Sequence, residues 1–437
     1  MEESLPDFVV AENGYERHFT KNARAELHAI ATTIHENDVA VAAVVELENF
    51  RKILRKSIAD LHADGLLITD DLDGARNALY ERIRTRIAEL RIEFTHYFPA
   101  WTLGMEQKGP IVLGPVTIMT REQWLDTVEF SDVVKERYSR TDDGDANWKA
   151  RVSEALKNGE RSAEVDGLAR HVYDAISHHP SILKITITGF EYDLSRKVGE
   201  IVCKAALDTI SLLFGGQEYF HQQALADERL GPISSEKIVE IDGRLSIPGR
   251  LFGPRRRTIS QDRARSYFEE HPDVTGAIKD ILTALVDPAN AKYPNLAKRW
   301  VTALDWMAEG QRERNDAVAL AKIASSLDVL ACGGKFSGIL EMVSHLTGAR
   351  PDDVVVKGLK PRTLRAVIKE IYDDGRSQIL HGTHFDRLKS FETTKFFAAH
   401  FARLALFECA LRLREFSGDD NDSIAFRAMP DCASRAA

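Results

Sequence analysis

The strongest constraint on this chain's fold lies in residues 313–416. Leu320, Ile323, Leu327 and Leu330 recur at helical spacing within Glu313–Ala331, and Gly333-Gly334 stops the run. A shorter helical run, Phe336–Leu346, follows, and a connection over 349–361 carries Pro351 and Pro361. Arg362–His381 and Thr393–Phe416 then repeat the period, the last with Phe397, Phe401, Leu404 and Leu411 facing inward. Helices joined by short connections pack against their neighbours in sequence, so this quarter of the chain predicts an antiparallel bundle of about four helices.

Upstream, good helix formers with mixed charge predict helices over 23–34, 39–61 and 72–94, and an apolar period predicts another over Ser195–Leu213. Pro110–Met119, rich in β-branched residues and broken by Gly and Pro, predicts a short strand or hairpin, and Ser181–Ile187 a further strand. Lys237–Phe252 reads as a hairpin turning at Asp242-Gly243. Asp142-Asp143-Gly144-Asp145 marks Arg140–Asn147 as a surface loop. The class expected is mainly α: a mostly helical N-terminal region with short strands over 1–235, a hairpin and helical connection over 236–297, the bundle over 298–416, and a flexible polar tail over 417–437.

Composition excludes several classes of function. Hydrophobic residues make up 44% and charged residues 29% of the 437, which is globular composition. No apolar run approaches the roughly 20 residues that span a bilayer, and Met1-Glu2-Glu3-Ser4 lacks a signal-peptide pattern, so a cytoplasmic protein with no membrane partner is expected. Cys203, Cys332, Cys409 and Cys432 are too dispersed for a zinc knuckle or disulfide framework. A net charge of −9 argues against binding nucleic acid through bulk electrostatics and leaves room for a local basic groove.

The one phrase with a chemical setting is Ile371-Tyr372-Asp373-Asp374-Gly375-Arg376-Ser377-Gln378-Ile379-Leu380-His381-Gly382. On a regular helix Arg376 and His381 lie about 140° apart. Arg376 then flanks an apolar stripe of Ile368, Ile371, Tyr372 and Ile379, while His381 points outward in the last turn before Gly382. An arginine and a histidine with four to six residues between them are uninformative alone, because such pairs recur at Arg55 and His62, Arg91 and His96, and Arg265 and His271. Context separates the phrase from these, since amphipathic helices precede and follow it.

With Tyr372, Arg376, Ser377, His381 and Gly382 in this order, residues 300–416 resemble a HEPN domain of the ApeA-like branch. The resemblance implies a homodimer through the bundle and metal-independent cleavage of RNA, with each copy donating Arg376 and His381 to one site. Ser377 stands where toxin-type members often carry Asn, Asp or His, and would assist. A role in phage defence or toxin-like growth arrest follows from the same likeness, with an unknown regulatory protein or phage trigger as partner. The chemistry is compatible: histidine transfers protons near neutral pH, and arginine offers a charged fork to phosphate. The alternative is a non-catalytic HEPN adaptor, in which Arg376 and His381 cap and pair within a dimer interface and the N-terminal region binds a partner.

Other candidates carry weaker signals. Arg255, Arg256 and Arg257 offer phosphate contacts to RNA, or form a solvated loop, and His384 stands three residues past His381. His171, His178 and His179 lack a carboxylate or cysteine at a recognised metal-ligand offset. Phosphate-binding-loop, G-x-S-x-G and H-E-x-x-H patterns do not occur. No metal or other cofactor is expected.

Overall fold

A computed structural model describes residues 8–67, 71–138, 147–159, 167–226, 228, 234–242, 244–252, 258–386 and 388–430. Arg255, Arg256, Arg257 and the Asp142–Asp145 turn lie outside these residues. The chain is mainly helical and divides into two compact units, Met1–His96 with Thr186–Glu200, and Tyr97–Ile185 with Ile201–Ala437. The division therefore falls early in the chain and not at the expected 235 and 297.

In the first unit a small hairpin, β1 (Phe8–Val10) and β2 (Glu16–His18), precedes helices α1 (Lys21–Asn37), α2 (Leu47–Ala63) and α3 (Leu72–Leu90). The Thr20 hydroxyl accepts from the Ala23 N–H and starts α1. The run 39–61 is interrupted, because Asp38 caps a separate turn over Val39–Ala42 before α2 begins. Ala31, Phe50, Leu54 and Ile83 form the core between these helices. Asp60 is buried beside them and survives there because Arg86, Lys56 and the Glu12 N–H all address its carboxylate.

The helix expected over 72–94 ends at Leu90, and Phe94–Trp101 is strand β3 instead. Its Phe-Thr-His-Tyr-Phe composition suits a pleated, half-buried surface better than a helix. The predicted hairpin and strand are present as β4 (Ile111–Leu113), β5 (Val116–Thr120) and β6 (Ser181–Ile187). With β7 (Ala224–Leu225) they form a five-stranded sheet in the order β4-β5-β6-β3-β7. The helices Trp148–Asn158 and Gly167–Ile176 bury Trp148, Val152 and Leu168 against Met119 and Ile182 of the sheet. Strands β8 (Ser234–Ile241) and β9 (Arg244–Phe252) make the expected hairpin, with Asp242 in the left-handed region at its turn.

The C-terminal bundle consists of α5 (Pro272–Val286), α6 (Pro294–Arg312), α7 (Asp316–Leu330), α8 (Lys335–Thr347), α9 (Leu364–Ile371) and α10 (Glu392–Glu415). Helix α7 is its centre. Where the periodicity predicts one apolar face, the structure buries α7 on nearly every side, including Ala319, Ala321, Ser325 and Asp328. Small side chains permit that, since neighbouring helices can then approach from several directions. Among the described residues no single helix is long and apolar enough to cross a membrane.

The expectation of a loose tail from residue 417 is corrected by residues 417–430. The Asp420 carboxylate accepts from the Asn295 and Leu296 N–H groups and so caps α6. Phe426 and Met429 are fully buried, and the Arg427 Nε donates to the Ala331 carbonyl at the end of α7. The polar segment is ordered because it satisfies helix ends that would otherwise lack partners.

Candidate functional site

The Thr363 side chain accepts from the Ala366 N–H and starts α9, which buries Leu364, Val367, Ile368 and Ile371. The helix does not run on regularly to His381. Tyr372–Ser377 form a π-helical turn, and regular geometry returns only for Gln378–Leu380. A π-turn closes hydrogen bonds over five residues and so changes the phase of every side chain after it. The 140° separation of a regular helix therefore does not describe Arg376 and His381.

Gly375 sits inside the widened turn against α7. A Cβ there would meet Leu320 Cδ2 at 2.7 Å and the Glu370 carbonyl oxygen at 3.0 Å. Gly375→Ala is accordingly expected to cost about 1–3 kcal/mol through overpacking, read as a lower midpoint in chemical denaturation. A midpoint equal to that of the parent chain would show that α7 and the π-turn have room to part.

Arg376 is thereby aimed at α7, where its guanidinium is held on three sides. Nε donates to Ser325 Oγ at 3.1 Å, Nη1 to the Tyr372 hydroxyl at 3.1 Å, and Nη2 stands 3.1 Å from Asp328 Oδ2. The guanidinium carbon also lies 5.2 Å from the Tyr372 ring centroid. The Arg376 and Asp328 side chains are 22% and 11% exposed, so the pair is screened but not sealed from water. Of the five N–H groups of a guanidinium, one on Nη1 and one on Nη2 remain for another acceptor. Burial and then the Asp328 carboxylate push the Tyr372 phenol above its ordinary range.

His381 closes the helix and is exposed. Gly382, at φ 69°, makes the left-handed stop the sequence predicts, with the Gly382 N–H donating to the Ile379 carbonyl and the Thr383 N–H to that of Gln378. Among the described residues the His381 imidazole and the Ser377 hydroxyl make no hydrogen bond or ion pair. The structure thus unites Arg376 with Tyr372, and joins neither to Ser377 nor to His381 by a hydrogen bond. His384 packs its ring edge-on against Phe391, centroids 4.9 Å apart. Around His381, Leu380, Phe385 and Leu388 are exposed, the last two by 84% and 96%.

Ser325 and Asp328 are site residues that the sequence reading passed over. A signal for Asp328 was present: a carboxylate within the apolar run of α7 needs a cation once that run is buried. Among the described residues no group of three or more His, Cys, Asp or Glu could hold a metal ion. No protein-family profile, curated protein or solved structure matches the chain.

Proposed function

We propose that the C-terminal bundle is a HEPN-type endoribonuclease that cleaves RNA without a metal, at a site completed by a second copy of the chain. The observation that carries this reading is an exposed His381 at a helix end, without a polar partner among the described residues, five residues from an arginine whose plane is fixed and which keeps two donors free of them. One copy of the chain supplies one His381, whereas the reaction moves two protons. In the proposed cleft one His381 takes the proton of the ribose 2′-hydroxyl as its oxygen bonds to phosphorus. The partner's His381, protonated, gives a proton to the departing 5′-oxygen as its bond to phosphorus breaks. The two Arg376 side chains hold the charge on the phosphorane. Leu380, Phe385 and Leu388, exposed apolar residues within seven positions of His381, would supply apolar area to a two-fold contact.

The test is RNA cleavage by the purified chain in chelator, with analysis of product ends and of oligomeric state. Cleavage leaving 2′,3′-cyclic phosphate ends by a dimer is the expected result, and a monomer, or a cleavage lost with the metal, removes the reading. A second reading, a non-catalytic dimerisation or adaptor module, is favoured by the Arg376–Asp328 ion pair, which gives the arginine a folding role of its own. It predicts a dimer that leaves RNA intact. Defence against phage or growth arrest is the role proposed for the nuclease.

A further inference from the structure

A concave site lies in the C-terminal unit, between the end of α4 (Tyr192–Phe214), the Gly215-Gly216 turn, α6 and the first half of α10. Its volume is about 540 Å³, within the range of small-molecule pockets. Buried Leu212, Phe220 and Met307 make an apolar floor. Along one wall Phe396, His400 and Arg403 follow each other at steps of four and three residues, one face of α10.

These three side chains are planar, and two of them are propped. The Phe396 ring, 67% exposed, stands edge-on to Phe397 at 5.6 Å, and Phe397 is itself covered by the Arg362 guanidinium at 4.7 Å. Arg403 donates through Nε to the Leu212 carbonyl at 3.1 Å and through Nη2 to that of Leu213 at 3.2 Å. It can lie there because position 215 is glycine, where a Cβ would come 3.0 Å from Nη2. Both N–H groups of Nη1 and one of Nη2 remain available.

His221, beside the Phe220 wall, is held below its ordinary pKa by burial and then by Arg312, Arg314 and Lys395, of which Arg312 and Lys395 are paired with Asp208 and Asp316. The carboxylate of the wall, Glu392, precedes Arg403 by eleven residues, about 16 Å along the helix axis. An apolar floor, an exposed ring and cationic donors at one end match a planar base joined to a phosphate.

We propose that this cleft binds a nucleotide unit, with its base against Phe396 and its phosphate beside His400 and Arg403. The unit is either a free nucleotide or one residue of an RNA strand, and the site binds it whether or not the chain cleaves RNA.

The experiment measures equilibrium binding of AMP and of a short fluorescent single-stranded RNA to the full chain carrying His381→Ala, which prevents the proposed cleavage. Phe396→Ala in that background is expected to weaken binding about tenfold, the scale of one base stacked on an aromatic ring. Leu72→Ala, exposed in the first unit, serves as the control and leaves binding unchanged. Loss of AMP affinity identifies a free-nucleotide site. Loss of RNA affinity alone identifies a subsite for a strand. Failure of both ligands to bind, or binding indifferent to Phe396→Ala, overturns the proposal. Because cleavage is scored separately on the parent chain, an inactive protein that still binds would sink only the nuclease reading.

Discussion

Asp328→Ala is expected to lower the stability of the C-terminal bundle by about 2–4 kcal/mol, the largest single-residue effect on folding anticipated here. The substitution strands the Arg376 guanidinium, whose side chain is only 22% exposed, without its counter-charge. It also removes Asp328 Oδ1 as acceptor of the Lys335 N–H at 3.0 Å, the first residue of α8. The partial exposure of Arg376 keeps the figure below that for a fully sealed pair. Asp328→Asn retains an acceptor of the same shape for Lys335 and loses only the charge, so it should cost about half as much. Urea denaturation followed by circular dichroism reads both. Equal effects of the two substitutions would assign the whole loss to the ion pair, and an Asp328→Asn chain as stable as its parent would assign it to the Lys335 cap.

His381→Ala has the opposite profile. The side chain is exposed and makes no polar contact among the described residues, so its removal should change stability by no more than about 0.5 kcal/mol. Under the proposed reaction it removes both proton-transfer groups of the dimer at once. Cleavage in chelator should then fall by about 10²- to 10⁴-fold, the scale of general acid–base catalysis. The contrast with Asp328 is the informative part, because one residue serves the fold and the other, by this reading, the chemistry. An unfolded His381→Ala chain, or one that cleaves RNA as fast as its parent, would take the histidine out of the mechanism.

Much of the bundle was legible from residue spacing. Leu320, Ile323, Leu327 and Leu330 announce α7, Gly333-Gly334 its end, and Gly382 the stop after His381. These signals are local: a turn of helix needs only its own few residues to show its period and its terminator. The hairpin at 111–120 and strand β6 were legible for the same reason, through β-branched runs bounded by Gly and Pro. Strand β3 was not, because Phe94–Trp101 follows a strong helical run and its pairing partners, β6 and β7, stand far away in sequence. The packed segment over 417–430 was hidden likewise, since its polarity serves the ends of α6 and α7 and not solvent.

For the candidate site, the chain's own order of residues determined which groups are present: an arginine, a serine and a histidine beside a glycine stop, on an element that must be helical. Tertiary structure decided how they face. Gly375 against Leu320 permits the π-turn, and the π-turn resets the phase between Arg376 and His381. Asp328 and Ser325, some fifty positions upstream, then seize the arginine, while nothing among the described residues takes the histidine. Helical period follows from neighbours along the chain, whereas the turn's width and the arginine's partner depend on what α7 presents across the bundle. Spacing in one helix carries no information about that second surface.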